Sequence, residues 1–104
     1  MQNAKHRYLP NGLRKHRRAR GLTQREVMRA LGLESPSVIS RWEHGVCLPK
    51  SWNLFKLASL YRTMVDALYI DLIRLLREEV RQAEDKMRQA KTQGLPRHKP
   101  RPKK

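Results

Sequence analysis

The chain has a single cysteine, a single phenylalanine, five glycines and only nine acidic residues. One thiol, Cys47, cannot close an internal disulfide, which excludes a stapled secreted fold and points to a reducing interior. No apolar run approaches the roughly 18 residues a membrane helix needs, and no apolar h-region follows the first residues. The expectation is a cytoplasmic protein with no membrane partner. Almost no stretch alternates β-branched and polar residues, so a sheet is not expected. There is no glycine-rich phosphate loop, no Ser/His/Asp array and no acidic pair suited to a nuclease metal, so no enzyme and no cofactor is expected. His44 and Cys47 lie close together, but two ligands do not make a zinc site, and no metal is expected either.

What the chain does have is positive charge. In 104 residues, 24 Lys and Arg give a formal charge of +15. A single-sign excess of this density attracts polyanions, nucleic acid first and anionic membrane second. The excess is uneven. Residues 1–20 hold seven Lys/Arg and no acid, residues 21–62 hold six against three, and residues 63–93 hold six of each sign. Residues 94–104 hold five Lys/Arg, no acid and three prolines, and are expected to be a disordered basic tail.

Punctuation and period divide the rest into helices. Asn11-Gly12 reads as a turn, after which Leu13 opens a basic helix that Gly21 stops. Thr23-Gln24-Arg25-Glu26 reads as a capping box opening a helix with Val27, Ala30 and Leu31 on its apolar face, ended by Gly32. Ser35-Pro36 reads as an N-cap followed by proline at the first helical position, opening a helix through Arg41-Trp42-Glu43 to Gly45. Ser51 reads as the cap of the next helix, which carries Leu54, Leu57, Ala58 and Tyr61. From about Thr63 to Gln93 there is no proline or glycine. Val65, Tyr69, Leu72, Leu76, Val80, Ala83, Met87 and Ala90 form a near-heptad stripe with one stutter. That predicts one uninterrupted helix of about 40 Å. Tyr8, Tyr61 and Tyr69 read as packing residues. In the helix opened by Ser35, spacing places Ile39 and Trp42 inward and Ser37, Ser40, Arg41 and His44 outward. Val38 either touches a thymine methyl or packs.

Two short helices joined by a tight turn on a basic chain are the sequence form of a helix-turn-helix. The residues Leu13-Arg14…Arg17…Gly21-Leu22-Thr23-Gln24…Val27…Leu31-Gly32, Ser37…Ile39-Ser40-Arg41-Trp42-Glu43…Gly45…Pro49…Leu57-Ala58 and Asp66-Ala67-Leu68-Tyr69 resemble the lambda-repressor-like (Xre/Cro) family over about residues 11–70. The resemblance implies an all-α, five-helix DNA-binding domain of bacterial or phage type, usually a dimeric transcription regulator. The expected organisation is a basic arm at 1–10, the helix-turn-helix domain at 11–70, an extended amphipathic helix at 71–93 and the tail at 94–104. By the resemblance, Ser37 and Arg41 match base-reading positions, Gln24 matches a phosphate clamp, and Arg17 and Glu43 match a pair tying the first helix to the third. Met28 stands where the family usually has a small residue. The turn from Leu33 to Pro36 is one residue longer than the common form.

The resulting reading is a sequence-specific regulator of double-stranded DNA, a repressor, whose major-groove helix runs from about Ser35 to His44. Its candidate DNA-binding residues are Gln24, Ser35, Ser37, Ser40 and Arg41, with Lys50 and Arg20 on phosphates irrespective of sequence. Arg17, Glu43, Ile39 and Trp42 are the candidate structural residues. Homodimerisation is expected through the helix around residues 64–90. The alternative is an antitoxin-like autoregulator in which the long helix or the tail holds a protein partner. A third class, a general RNA or nucleoid binder working by charge alone, is separated by salt dependence and sequence competition.

Overall fold

The computed structural model describes residues 8–92. The basic arm before Tyr8 and the expected tail at 94–104 lie outside the described residues. Six helices are present among the described residues: α1 (Leu13–Ala19), α2 (Gln24–Leu31), α3 (Ser37–Glu43), α4 (Ser51–Tyr61), α5 (Val65–Leu68) and α6 (Ile70–Thr92). The protein is all-helical, with no strand among the described residues. It divides into two compact units, the first ending at Ile73 and the second beginning at Arg74.

Local chemistry accounts for most of the helix ends. At α2 the Thr23 hydroxyl accepts from the Glu26 N–H at 3.1 Å, and the Glu26 carboxylate accepts from the Thr23 N–H at 2.8 Å. This reciprocal capping satisfies two donors that the first turn would otherwise leave unpaired. Gly32 then ends the helix in the left-handed conformation, φ 76°. At α3, Ser35 Oγ accepts from the Ser37 N–H at 3.2 Å, while Pro36 already has helical φ and ψ. The helix proper begins at Ser37, two residues after Ser35. Gly45, at φ 77°, ends it, with its N–H on Trp42 O at 3.0 Å and the Val46 N–H on Arg41 O at 3.0 Å.

The core of the first unit comes from every helix in it. Leu13 of α1, Val27 and Leu31 of α2, Ile39 and Trp42 of α3, and Leu57, Ala58 and Tyr61 of α4 are buried together with Leu68, Tyr69 and Leu72. Each apolar side chain withdrawn from water contributes roughly 1.5–3 kcal/mol, and this cluster is the main force closing the domain.

Four expectations are corrected. The helix expected to run unbroken from about Thr63 is interrupted at Tyr69, which adopts φ −130°, ψ 38° between α5 and α6. Tertiary packing overrides the favourable local sequence here. Leu68 and Tyr69 are both buried, and Leu68 O accepts from the Gly12 N–H at 2.7 Å instead of continuing the helical ladder. Ser51 is not the cap of α4. Lys50 holds the N-cap position in extended conformation without a side-chain bond, and Ser51 is the first helical residue. Ala30 is exposed on α2 rather than packed, because the core side of that helix is taken by Val27 and Leu31, one turn apart. Tyr8 is exposed rather than packed.

Tyr61 and Tyr69 are buried, and neither phenolic oxygen has a hydrogen-bond partner among the described residues. Burial pushes the Tyr69 hydroxyl up to about 12, with Cys47 adding to it, and raises Tyr61 further still. The folded state therefore holds these protons at pH values where the unfolded chain, near the ordinary tyrosine value of 10.0, releases them. By linkage, the Tyr69 contribution is fully present below pH 10 and is lost as pH rises through about 12, and that of Tyr61 is lost at higher pH still. Urea unfolding of Tyr69→Phe at neutral pH should shift stability by less than about 1 kcal/mol, since no hydrogen bond is broken. Its loss of stability between pH 10 and 12 should be shallower than that of the parent chain. An equally steep alkaline decline would contradict the assignment.

In the second unit, Leu75, Leu76, Val80 and Met87 of α6 are exposed. Arg81 forks between Glu78 at 2.6 Å and Asp85 at 3.0 Å, and Arg88 bonds Asp85 at 2.5 Å. These pairs, three or four residues apart, satisfy charge along the helix surface and lower the Glu78 carboxyl from its usual range, chiefly through the Arg81 hydrogen bond.

Candidate nucleic-acid interface

α2 and α3 are joined by a short turn, and a charged network fixes the end of α3 to α1 and α2. Arg17 Nε donates to Glu43 Oε2 at 2.6 Å, Arg17 Nη2 donates to Oε1 at 3.2 Å, and Arg17 Nη1 donates to Leu22 O at 2.8 Å. Gln24 Nε2 donates to the same Glu43 Oε1 at 3.0 Å. The two charged side chains are 10% and 3% exposed. The Glu43 hydrogen bond holds the Arg17 guanidinium even more firmly protonated than usual, against the opposing effect of burial. Three elements thereby share one carboxylate.

A second set of bonds was not legible in the sequence. Asn11 Nδ2 lies 3.0 Å from Leu9 O, 3.2 Å from Trp42 O and 3.3 Å from Glu43 O, while Asn11 Oδ1 accepts from the Leu13 N–H at 3.0 Å. Asn11 thus opens α1 and at the same time satisfies the carbonyls ending α3, which a helix leaves without intrahelical partners. The Leu9 N–H donates to Gly45 O at 2.8 Å, laying the segment before α1 against the turn after α3. Asn-Gly marked a turn, but no spacing connects residue 11 to residues 42 and 43.

With its inner face (Ile39, Trp42) buried, α3 presents the opposite face to solvent. Ser37, Arg41 and His44 are exposed and Ser40 is half-buried. Val38 is partly buried against the core. Ser37 Oγ and Ser35 Oγ lie 2.8 Å apart and share a hydrogen bond. His44 Nδ1 is 2.8 Å from Ser40 O and 3.3 Å from Ser40 Oγ. A carbonyl only accepts, so Nδ1 carries the hydrogen, and Nε2 is the nitrogen left to face outward. Lys50 is exposed at the start of α4. Arg20 is drawn toward α4, its Nε donating to Leu60 O at 3.2 Å. Among the candidate residues, then, Ser37, Ser40 and Arg41 share one open face, Lys50 stands at a helix start, Gln24 is turned to Glu43, and Arg20 lies at the end of α4. Among the described residues no three His, Cys, Asp or Glu side chains gather as a metal site. No helix among them is long and apolar enough to cross a membrane.

This geometry agrees with comparison to known families. A family model for the helix-turn-helix domain matches residues 12–68. The chain belongs to this helix-turn-helix family. No curated protein and no solved structure is significantly similar to it. The match spans α1 to α5, from Gly12 to Leu68, the two residues whose backbones bond to each other. In a helix-turn-helix the first helix of the pair crosses the DNA backbone and the second enters the major groove, so this is a DNA-binding fold. The helix-turn-helix here is braced at the end of α3 by Glu43 and Asn11, which leaves the solvent face of that helix unobstructed.

Proposed function

We propose that the protein is a sequence-specific transcription regulator of the lambda-repressor-like type, a repressor, that reads double-stranded DNA with α3. The observation carrying this reading is the open face of α3, where Ser37 and Arg41 are both exposed one turn apart on a helix held rigidly from behind. A guanidinium so placed can bond guanine O6 and N7 bidentately, and a serine can accept from or donate to a base edge. Ser40, Ser35 and the outward Nε2 of His44 extend the same face. Lys50, and the helix start at Gln24, supply phosphate contacts that position the domain without reading sequence.

Binding to duplex DNA is the test. Arg41→Ala should lose roughly 1–3 kcal/mol on a selected site and relax one base position. Lys50→Ala should weaken selected and random duplexes alike and reduce the salt dependence by about one phosphate contact. Equal loss by Arg41→Ala on both duplexes would overturn the base-reading role.

We further propose that α6 pairs with its copy in a second chain. Leu76, Val80 and Met87 recur at steps of four and seven along one exposed strip. Residues 63–93 carry equal numbers of each charge, so two such helices approach without the repulsion the +15 chain would otherwise impose. A two-fold dimer would select a near-palindromic site. Val80→Glu should convert dimer to monomer in sedimentation at micromolar concentration. A dimer that persists through this substitution would remove α6 from the interface.

A further inference from the structure

We propose that the groove between α2 and α4 is a docking site for an acidic amphipathic helix of another protein. Trp52 is 74% exposed and Phe55 is 62% exposed, three residues apart on α4. With Ser59 and Leu60 one turn further on, and Ala30 and Leu31 as the opposite wall, they line an open groove of about 460 Å³. Exposed large aromatics in a concave apolar setting are the usual anchors of protein association, and the cluster lies apart from the open face of α3. Ala30 is the small residue that keeps this groove from being filled by α2 itself.

Charge identifies the occupant. Lys56 lines the groove and donates through Nζ to Leu31 O at 3.1 Å, while Arg20 Nε is bonded to Leu60 O at 3.2 Å. Both cations are thus held at groove-lining residues by main-chain carbonyls, and neither is paired with a carboxylate among the described residues. α4 carries no acid along its whole length. Cations fixed beside an apolar trough, with donors to spare, match apolar side chains flanked by Asp or Glu. A helix presenting apolar residues at i, i+3, i+4 and i+7 would lay these between Trp52, Phe55 and Leu60, with its carboxylates reaching Lys56 and Arg20. DNA fits poorly, since the walls are apolar. A second copy fits poorly too. The chain's own amphipathic stretch sums to zero charge, and its Glu78 and Asp85 are already bonded to Arg81 and Arg88. The site is additional to DNA binding and does not depend on it.

The test uses the full chain and two synthetic amphipathic helical peptides with the same leucine face, one flanked by glutamates and the other by lysines. The glutamate peptide should bind, shifting the Trp52 indole resonance, and the lysine peptide should bind at least about tenfold more weakly. Trp52→Ala and Phe55→Ala should each weaken the glutamate peptide about tenfold or more. Neither should change the unfolding midpoint or the affinity for DNA, since both rings are exposed. Lys56→Glu should reverse the preference toward the lysine peptide. No binding of the glutamate peptide, equal affinity for both peptides, or binding indifferent to Trp52→Ala would each overturn the proposal. Loss of self-association in Trp52→Ala would give the groove to a second copy, and loss of DNA affinity in that variant would give it to nucleic acid. Either result also overturns it.

Discussion

Glu43→Ala should destabilise the protein by about 3 kcal/mol or more, a large part of the 5–15 kcal/mol expected for a whole domain. The Glu43 side chain accepts two bonds from Arg17 and one from Gln24. Its removal leaves a guanidinium in a site 10% exposed, with Leu22 O as its remaining hydrogen-bond acceptor. The penalty is the desolvated charge left behind, more than the attraction lost. Replacing both partners together, as Arg17→Met with Glu43→Leu, should therefore cost less than Glu43→Ala alone. Chemical denaturation of the three proteins separates these cases. An unchanged midpoint for Glu43→Ala would mean that the pair is not holding α3 to α1.

Gly45→Ala should be nearly as damaging, by about 2–3 kcal/mol, for two additive reasons. Its φ of 77° is a left-handed conformation costing an L-residue about 1–2 kcal/mol. A Cβ there would also meet the Leu9 backbone, 2.6 Å from its nitrogen and nearer still to its carbonyl oxygen. Backbone cannot yield as a side-chain tip would, so the 2.8 Å bond from the Leu9 N–H to Gly45 O must be given up. Gly32 supplies the control. It has a similar φ of 76°, but a Cβ there would meet nothing within 4 Å. Gly32→Ala should cost only the conformational part, and the difference in melting midpoint between the two variants measures the contact with Leu9. Equal losses would show that the segment before α1 contributes nothing at that point.

The helical class and the helix-turn-helix identity were readable because they rest on local signals. Thr23 and Glu26 cap each other within one turn, and Gly32 and Gly45 end helices through their own backbone freedom. Other ends depend on distant partners. α4 ends on Arg62, which adopts the left-handed conformation, φ 56°, with no glycine to announce it. The break at Tyr69 arises where Leu68 O meets the Gly12 N–H, a contact across 56 positions that periodicity cannot report. Asn11 was visible only as half of a turn, because its value lies in the carbonyls of Trp42 and Glu43. At the site, helical spacing was enough to separate Ile39 and Trp42 from Ser37 and Arg41. It could not show Gln24 turned to Glu43, nor Arg20 drawn to Leu60. Trp52 and Phe55 fall outside the apolar set Leu54, Leu57, Ala58 and Tyr61 that spacing gives this helix, and only the fold shows Ala30 and Leu31 of α2 facing them across an open groove.

Comparing two affinities at one salt concentration decides whether this chain distinguishes DNA sequences. A duplex enriched from a random pool by the full chain would be measured against a random duplex of equal length. The enriched duplex should bind at least about a thousandfold more tightly at physiological salt, with the random duplex following the steeper salt dependence of phosphate contacts alone. Indistinguishable affinities for the two duplexes, falling together as salt rises, would contradict this and leave charge as the whole basis of binding.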